Sequence, residues 1–180
     1  AIGCSNETSW GLMKSLEASE RLGVARYCTI QNNFSMNNRR FEDELAQVCR
    51  QEGVSLIPYS PLAGGALSGK YNDGAMPDGA RFSAYLKLGG RQKKMAERFV
   101  NPKSEESTKR FMAIAEELGV ATVTLATAWS KQHDFVASTI VGATHTDQLP
   151  EIFAAADLEL SPEMMKRIYK ISREIMYPMG

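Results

Sequence analysis

Along this chain, short apolar runs bounded by polar turns alternate with stretches in which apolar residues recur at helical spacing, the pattern of βα units around a parallel sheet. Runs at about Ala1 to Cys4, Tyr27 to Gln31, Val54 to Pro58 and Ser138 to Val141 read as strands. Between them, Phe41, Leu45, Val48 and Cys49 recur at i, i+4, i+7 and i+8, and Phe111, Ile114, Ala115 and Leu118 at i, i+3, i+4 and i+7. Each set forms one apolar helical stripe. A helix after Trp10 is expected to run to Leu22 and stop at Gly23, and another to stop at Gly119, since glycine accepts the left-handed conformation that closes a helix. Helical patterns at about 91 to 98, 103 to 118 and 122 to 132 make the last crossover the longest. Ser161 as N-cap and Pro162 at N1 open a final helix with Met164, Ile168, Ile171 and Ile175 on one face. The stretch from Tyr71 to Gly90, rich in Gly, Pro, Asn and Asp, reads as a long functional or mobile loop. Trp10 and Trp129 fall on helical stretches and read as packing residues.

Four βα units do not close a barrel, which needs eight strands and about 250 residues. The chain opens without Met, in what reads as the end of a strand. Either a missing half precedes Ala1, or the sheet is open and doubly wound.

Composition narrows the partners. At 180 residues and 43% hydrophobic, the chain is long enough to bury a real core as one unit. Lys plus Arg and Asp plus Glu each total 21, so no basic footprint for nucleic acid or an anionic membrane exists. Small molecules or proteins are the expected partners. No apolar run approaches the roughly 18 residues of a membrane span, and no leader pattern opens the chain. Cys4, Cys28 and Cys49 form no close pair, which points to reduced thiols in a reducing compartment, cytoplasmic or alternatively plastid stroma. Two histidines, His133 and His145, argue against a zinc or iron centre.

The most informative stretch is Leu56 to Tyr71, LIPYSPLAGGALSGKY. A buried-type strand delivers Tyr59 and Ser60 at its C-terminal end, where ligands sit in parallel barrels. An aromatic ring there offers a face for stacking, small residues let backbone N–H groups approach a phosphate, and Lys70 adds a positive charge. Gly64 to Lys70 also spells the first seven positions of a Walker A loop, but Tyr71 stands where Ser or Thr should ligate magnesium. Plainer readings exist: a structural turn with a solvated Lys70, Ser5 and Asn6 as helix caps, Tyr59 as core, Gln148 and Glu151 on a solvated helix face.

IGCSNET, TIQNNFS, YSPLAGGALSGKY and STIVGATHTDQLPE, in that order and spacing, resemble the second half of an aldo-keto reductase. The TIQNNFSMNNRRFE and VASTIVGAT segments and the terminal YP most resemble the Tas-type subgroup, with potassium-channel β-subunits a more distant relative. The resemblance implies an α/β fold, a TIM (β/α)8 barrel of the NADP-linked oxidoreductase type, with 1–180 as its C-terminal half. It further implies NADP(H) across the barrel mouth. Ser5, Asn6 and Gln31 match contacts to the nicotinamide carboxamide, and Tyr59 matches the ring that stacks on the nicotinamide. Ser60, Pro61, Leu62, Ala63 and Gly64 match the pyrophosphate loop, with Lys70 and Arg81 as its cations. Gly142, Thr144, Gln148 and Glu151 match the loop and helix start around the adenosine and its 2′-phosphate. Ile152 departs from the family, which often has Asn there.

The family's catalytic Asp, Tyr, Lys and His belong to strands outside these residues, so no catalytic residue is assigned within them. The implied activity is NADP(H)-dependent reduction of aldehydes or ketones; the alternative is a regulatory subunit that binds NADP(H) and acts through protein contacts, as a partner or oligomer. On either reading Ser5, Gln31, Tyr59 and Thr144 are expected to converge at the C-terminal ends of four parallel strands.

Overall fold

The computed structural model describes residues 1–179. Three strands, β1 (Ile2–Ser5), β2 (Tyr27–Gln31) and β3 (Ser55–Leu56), form a sheet in the order β1-β2-β3, and both pairings are parallel. Right-handed crossovers between consecutive neighbours place every connecting helix on one face of such a sheet. A doubly wound sheet needs a reversal of strand order, and the order here does not reverse.

The expected fourth strand, Ser138 to Val141, is not a regular strand, although the chain there runs parallel to β3. Leu56 N–H donates to the Phe135 carbonyl at 2.7 Å, Ala137 N–H to the Leu56 carbonyl at 2.9 Å, and Ile140 N–H to the Pro58 carbonyl at 2.9 Å. The next rung of a regular ladder would use the amide of residue 58, and proline has none. β3 itself is shorter than the expected Val54 to Pro58. On the β2 side pairing continues, with Ile57 N–H on the Ile30 carbonyl at 2.8 Å and Tyr59 N–H on the Asn32 carbonyl at 3.0 Å.

Helix α1 (Ser9–Leu22) ends at Gly23 with φ 63°, as the glycine implied. Its cap is Thr8, whose hydroxyl accepts the Gly11 N–H at 3.0 Å, so neither Ser5 nor Asn6 serves as that cap. The stripe from Phe41 to Cys49 is not one helix. Phe41 lies in a 3-10 turn (Arg40–Glu42), and α2 (Leu45–Glu52) follows. The Tyr71 to Gly90 stretch is likewise more ordered than its composition suggests. It holds a short 3-10 turn (Asn72–Gly74) and α3 (Arg81–Leu88), which packs against α4 (Gly90–Phe99). Then come α5 (Pro102–Glu117), capped by Asn101, α6 (Thr122–Lys131), α7 (Leu149–Ala154) and α8 (Pro162–Glu174), capped by Ser161. No single helix among the described residues is long and apolar enough to cross a membrane.

Phe34 centres the core. It stacks on Trp129 at 4.8 Å and meets Phe41, His133 and Phe135 edge-on at 6.2, 5.0 and 5.5 Å. Trp129 is buried as expected, whereas Trp10 is 72% exposed. The Arg39 guanidinium lies between the Trp129 and Tyr169 rings, 5.3 and 4.6 Å from their centroids, and is held by Glu42. Burial among aromatic rings, and then the charge of Arg39, bring the His133 imidazole down to about 4 from 6.5.

A histidine whose pKa is depressed by folding is protonated more readily in the unfolded chain. Its neutral, buried form therefore contributes stability above about pH 6.5 that is lost as the pH falls toward about 4. We expect a loss on the order of 3 kcal/mol across that window. Urea denaturation at pH 7 and pH 4.5 should show it, and His133→Leu should flatten this part of the profile. An unchanged slope in the variant would assign the acid sensitivity elsewhere.

Candidate functional site

The C-terminal ends of β1 and β2 are level, because Ser5 pairs with Gln31 in the parallel register. Ser5 Oγ donates to the Gln31 carbonyl at 3.0 Å. Asn6 turns away at φ 56°, its N–H shared between the Gln31 carbonyl at 3.0 Å and Asn32 Oδ1 at 2.7 Å. The Tyr59 hydroxyl donates to Asn6 Oδ1 at 2.9 Å, and Asn33 and Tyr59 are bridged between β2 and β3. Ser5, Asn6, Gln31 and Tyr59 thus form one connected polar group at the sheet's C-terminal edge. Ser5, Asn6 and Gln31 stay exposed there, and Tyr59 is half-buried, so the ring is not a core residue.

Immediately after Tyr59 the backbone enters an unusual run. Ser60, Ala63, Gly64 and Gly65 all have positive φ, and a 3-10 stretch (Ala63–Ser68) is broken at the two glycines. Non-glycine residues in the left-handed region cost of order 1 kcal/mol or more each and collect where the surroundings enforce them. Beside this run the Phe82 ring stacks on Phe99 at 4.8 Å and fills the space under Gly64. A Cβ on Gly64 would lie 2.5 Å from Phe82 Cζ. The segment is followed by a 3-10 turn rather than by a helix springing from a phosphate loop, so the partial Walker A spelling does not carry Walker A geometry.

Around this run lies a cleft of about 410 Å³. One wall is Ser60, Pro61, Leu62, Gly64, Gly65 and Ser68, with Lys70 and Arg81 at its rim. The facing wall is Ile140 to Gly142, Thr144, Gln148, Glu151 and Ile152, with Val123 beneath. The Ile140 N–H bond to the Pro58 carbonyl brings the second wall alongside the first. Gln148 Oε1 accepts the Thr144 N–H at 3.0 Å, which folds that loop back on the start of α7. Ile152, with 5% exposure, contributes an apolar patch where the family often has Asn.

Of the residues expected at a cofactor site, Ser60, Pro61, Leu62, Gly64, Lys70, Arg81, Gly142, Thr144, Gln148 and Glu151 line this cleft. Ser5, Asn6, Gln31 and Tyr59 form the polar group beside it, joined through the Tyr59–Ser60 peptide. Ala63, also expected there, is fully buried and does not line the cleft. Gly65, Ser68, Gly79, Ala80, Val123, Ile140 and Val141 also line the cleft and were not singled out from sequence. Gly65 and Ser68 sit inside the Gly-rich run, so that run signalled them; Val123 and Ile140 carry no signal beyond being apolar. His145 is exposed in the loop.

Lys70 and Arg81 have no carboxylate within ion-pairing distance among the described residues. The Lys70 ammonium lies over the Tyr71 ring, 5.4 Å from its centroid. Partial desolvation at that end, together with the nearby Arg81 charge, pulls the Lys70 pKa below its ordinary value. Two like charges share one cleft without an ion-pair partner among the described residues, so an anion that entered would relieve their repulsion. Among the described residues, no group of three His, Cys, Asp or Glu side chains is placed to hold a metal ion.

The family model described as "Aldo/keto reductase family" matches residues 1–173. Protein tas from Escherichia coli (strain K12) is 37% identical over 180 residues, covering 98% of this chain and 49% of its own. A probable voltage-gated potassium channel subunit beta from Arabidopsis thaliana is 31% identical over 172 residues, covering 94% and 51%. The uncharacterized oxidoreductase YrpG from Bacillus subtilis (strain 168) is 28% identical over 170 residues, covering 94% and 48%. The chain thus spans about half the length of these relatives.

The Gly64 contact yields a test. Gly64 and Gly74 both have positive φ, at 65° and 72°, but nothing lies within 4 Å of a Cβ at Gly74. Gly74→Ala should cost about 1 kcal/mol, the conformational part alone. Gly64→Ala should cost at least about 2 kcal/mol, since Phe82 must also move. Thermal denaturation of the two variants compares them directly, and equal losses would show that the Phe82 contact is not restrictive.

Proposed function

This chain belongs to the aldo/keto reductase family, and from that membership we propose that it is the C-terminal half of a (β/α)8 barrel that binds NADP(H) and reduces aldehydes or ketones. The observation that carries the cofactor reading is the pair of unneutralised cations, Lys70 and Arg81, at the rim of a cleft walled by the strained Gly-rich turn. A dinucleotide fits this arrangement by its chemistry. Its phosphates need cations and close backbone approach, which Lys70, Arg81 and the Ser60 to Gly65 run offer. Its carboxamide needs a donor and an acceptor, which the Ser5, Asn6 and Gln31 side chains offer at the sheet's edge. The half-buried Tyr59 ring, fixed by its hydrogen bond to Asn6, lies between the two regions and offers a stacking face.

When bound, the cofactor supplies the hydride, and these residues hold and orient it. Proton delivery to the carbonyl oxygen needs a positioned acid of tuned pKa. The Tyr59 hydroxyl is engaged with Asn6, and the resemblance implies that the catalytic Asp, Tyr, Lys and His belong to strands other than these. We therefore assign the acid to residues outside 1–180. A second reading, that of a regulatory subunit, draws support from the relative named as a potassium channel subunit beta, and it shares the cofactor site. Steady-state reduction of a panel of aldehydes and ketones by the whole protein separates the two: turnover with NADPH supports the enzyme, and binding without turnover supports the subunit.

NADPH exceeds NADH by one 2′-phosphate of nearly two negative charges, and each charge-assisted hydrogen bond to it is worth roughly 1.5 to 3 kcal/mol. Two such contacts, from Thr144, Gln148, Lys70 or Arg81, imply a preference of at least about a hundredfold. We expect the whole protein to bind NADPH at least that much more tightly, and Arg81→Ala to weaken NADPH far more than NADH, as read by fluorescence titration. Equal wild-type affinities would refute the 2′-phosphate assignment; equal losses in the variant would move Arg81 to the shared pyrophosphate.

A further inference from the structure

The two rim cations come from different elements, Lys70 from the end of the Gly-rich run and Arg81 from the first turn of α3. One residue links the two elements. Tyr71 is 4% exposed; its ring lies under the Lys70 ammonium, and its hydroxyl accepts the Phe82 N–H at 3.2 Å. That N–H is one of the amides that open a helix and have no partner inside it. The N-cap of α3 is Ala80, which has no side-chain acceptor, so the Tyr71 hydroxyl acts as the cap from nine residues before it.

The 3-10 turn that follows Tyr71 is held from behind. Asp73 N–H donates to Glu105 on α5 at 3.0 Å, and Lys109 bridges Asp73 and Glu105 at 2.6 and 2.7 Å. The Tyr71 ring also meets Phe82, 5.6 Å between centroids, and Phe82 fills the space beneath Gly64. We propose that Tyr71 is the positioning residue of the anion site, its hydroxyl holding the first turn of α3 so that Arg81 faces the cleft and its ring seating Lys70 against the same rim. The proposal rests on the NADP(H) reading given above. Tyr71 touches no cofactor atom; it acts through Arg81 and Lys70. The chain joining Lys70 to Arg81 contains Gly74, Pro77 and Gly79, and without the Tyr71 hydroxyl nothing else among the described residues caps the first turn of α3.

The test is a double-mutant cycle on the whole protein, with NADPH as the titrant. Tyr71→Phe keeps the ring and deletes the hydroxyl, and it should weaken NADPH binding roughly fivefold to tenfold, the range of a lost N-cap. In an Arg81→Ala background the same change should cost less than about twofold, because the residue it positions is gone. A merely structural role predicts the same factor in both backgrounds. Rescue gives an independent arm: Ala80→Ser supplies a side-chain cap to the same turn, and added to Tyr71→Phe it should restore most of the affinity. Melting temperatures of all variants without cofactor separate affinity from folding. If Tyr71→Phe alone does not fold, its combination with Ala80→Ser should fold and bind NADPH, because the serine restores the cap, and failure of that pair to fold would overturn the inference. Wild-type affinity in Tyr71→Phe, additive losses, or no rescue would overturn the inference and leave the cofactor reading intact. Failure of the wild type to bind NADPH would overturn both.

Discussion

Parallel pairing is the constraint from which the rest of this structure follows. Parallel strands cannot be joined by a tight turn, so each must be reached by a crossover, and all crossovers return the chain to the same end of the sheet. The C-terminal ends of β1, β2 and β3 therefore share one edge. The residues just beyond them, Ser5 and Asn6, Gln31 to Asn33, and Tyr59 and Ser60, become neighbours although they are far apart in sequence. The hydrogen bond from Tyr59 to Asn6 spans 53 positions and exists only because the register is level.

Pro58 then decides what happens at the third strand. It withholds the one amide that would extend a regular ladder toward 138–141, while its carbonyl still accepts the Ile140 N–H. The result is a segment that follows β3 closely enough to form a wall but is not locked flat into the sheet. Between that wall and the Gly-rich run there is room for a cleft. The run combines positive φ angles at Ser60 and Ala63 with a glycine, Gly64, at which Phe82 leaves no space for a side chain. Backbone strain, aromatic packing and unneutralised charge thus meet within a few residues, a concentration expected where a ligand repays the cost.

Much of this was legible in the sequence, and what was not has a physical reason. The helix from Ser9 to Leu22, the helix closed near Gly119 and the Ser161 cap follow from local rules of spacing and capping, which depend on neighbours within a few residues. The Gly-rich run and its lysine stood out because their composition is restrictive. Trp10 was misread as packing, since periodicity places a residue on a helix but does not say which face meets another element; the ring is exposed. The stretch from Tyr71 to Gly90 was misread as loop because its Gly and Pro residues outweigh local propensity, whereas α3 is held by packing on α4 and by the hydroxyl of Tyr71.

By itself the sequence determined the family, the parallel α/β character, the lack of close spacing among the cysteines, and the set of residues that carry polar chemistry, because order, spacing and residue type suffice for those. Tertiary structure alone decided which of them meet. It seated Lys70 and Arg81 in one cleft without an ion-pair partner among the described residues, buried Ala63 whole, broke the ladder opposite Pro58, and turned a tyrosine into the cap of a helix that begins ten residues on. These outcomes depend on distances between segments far apart in the chain, and such distances are set by packing of the whole core rather than by any local pattern.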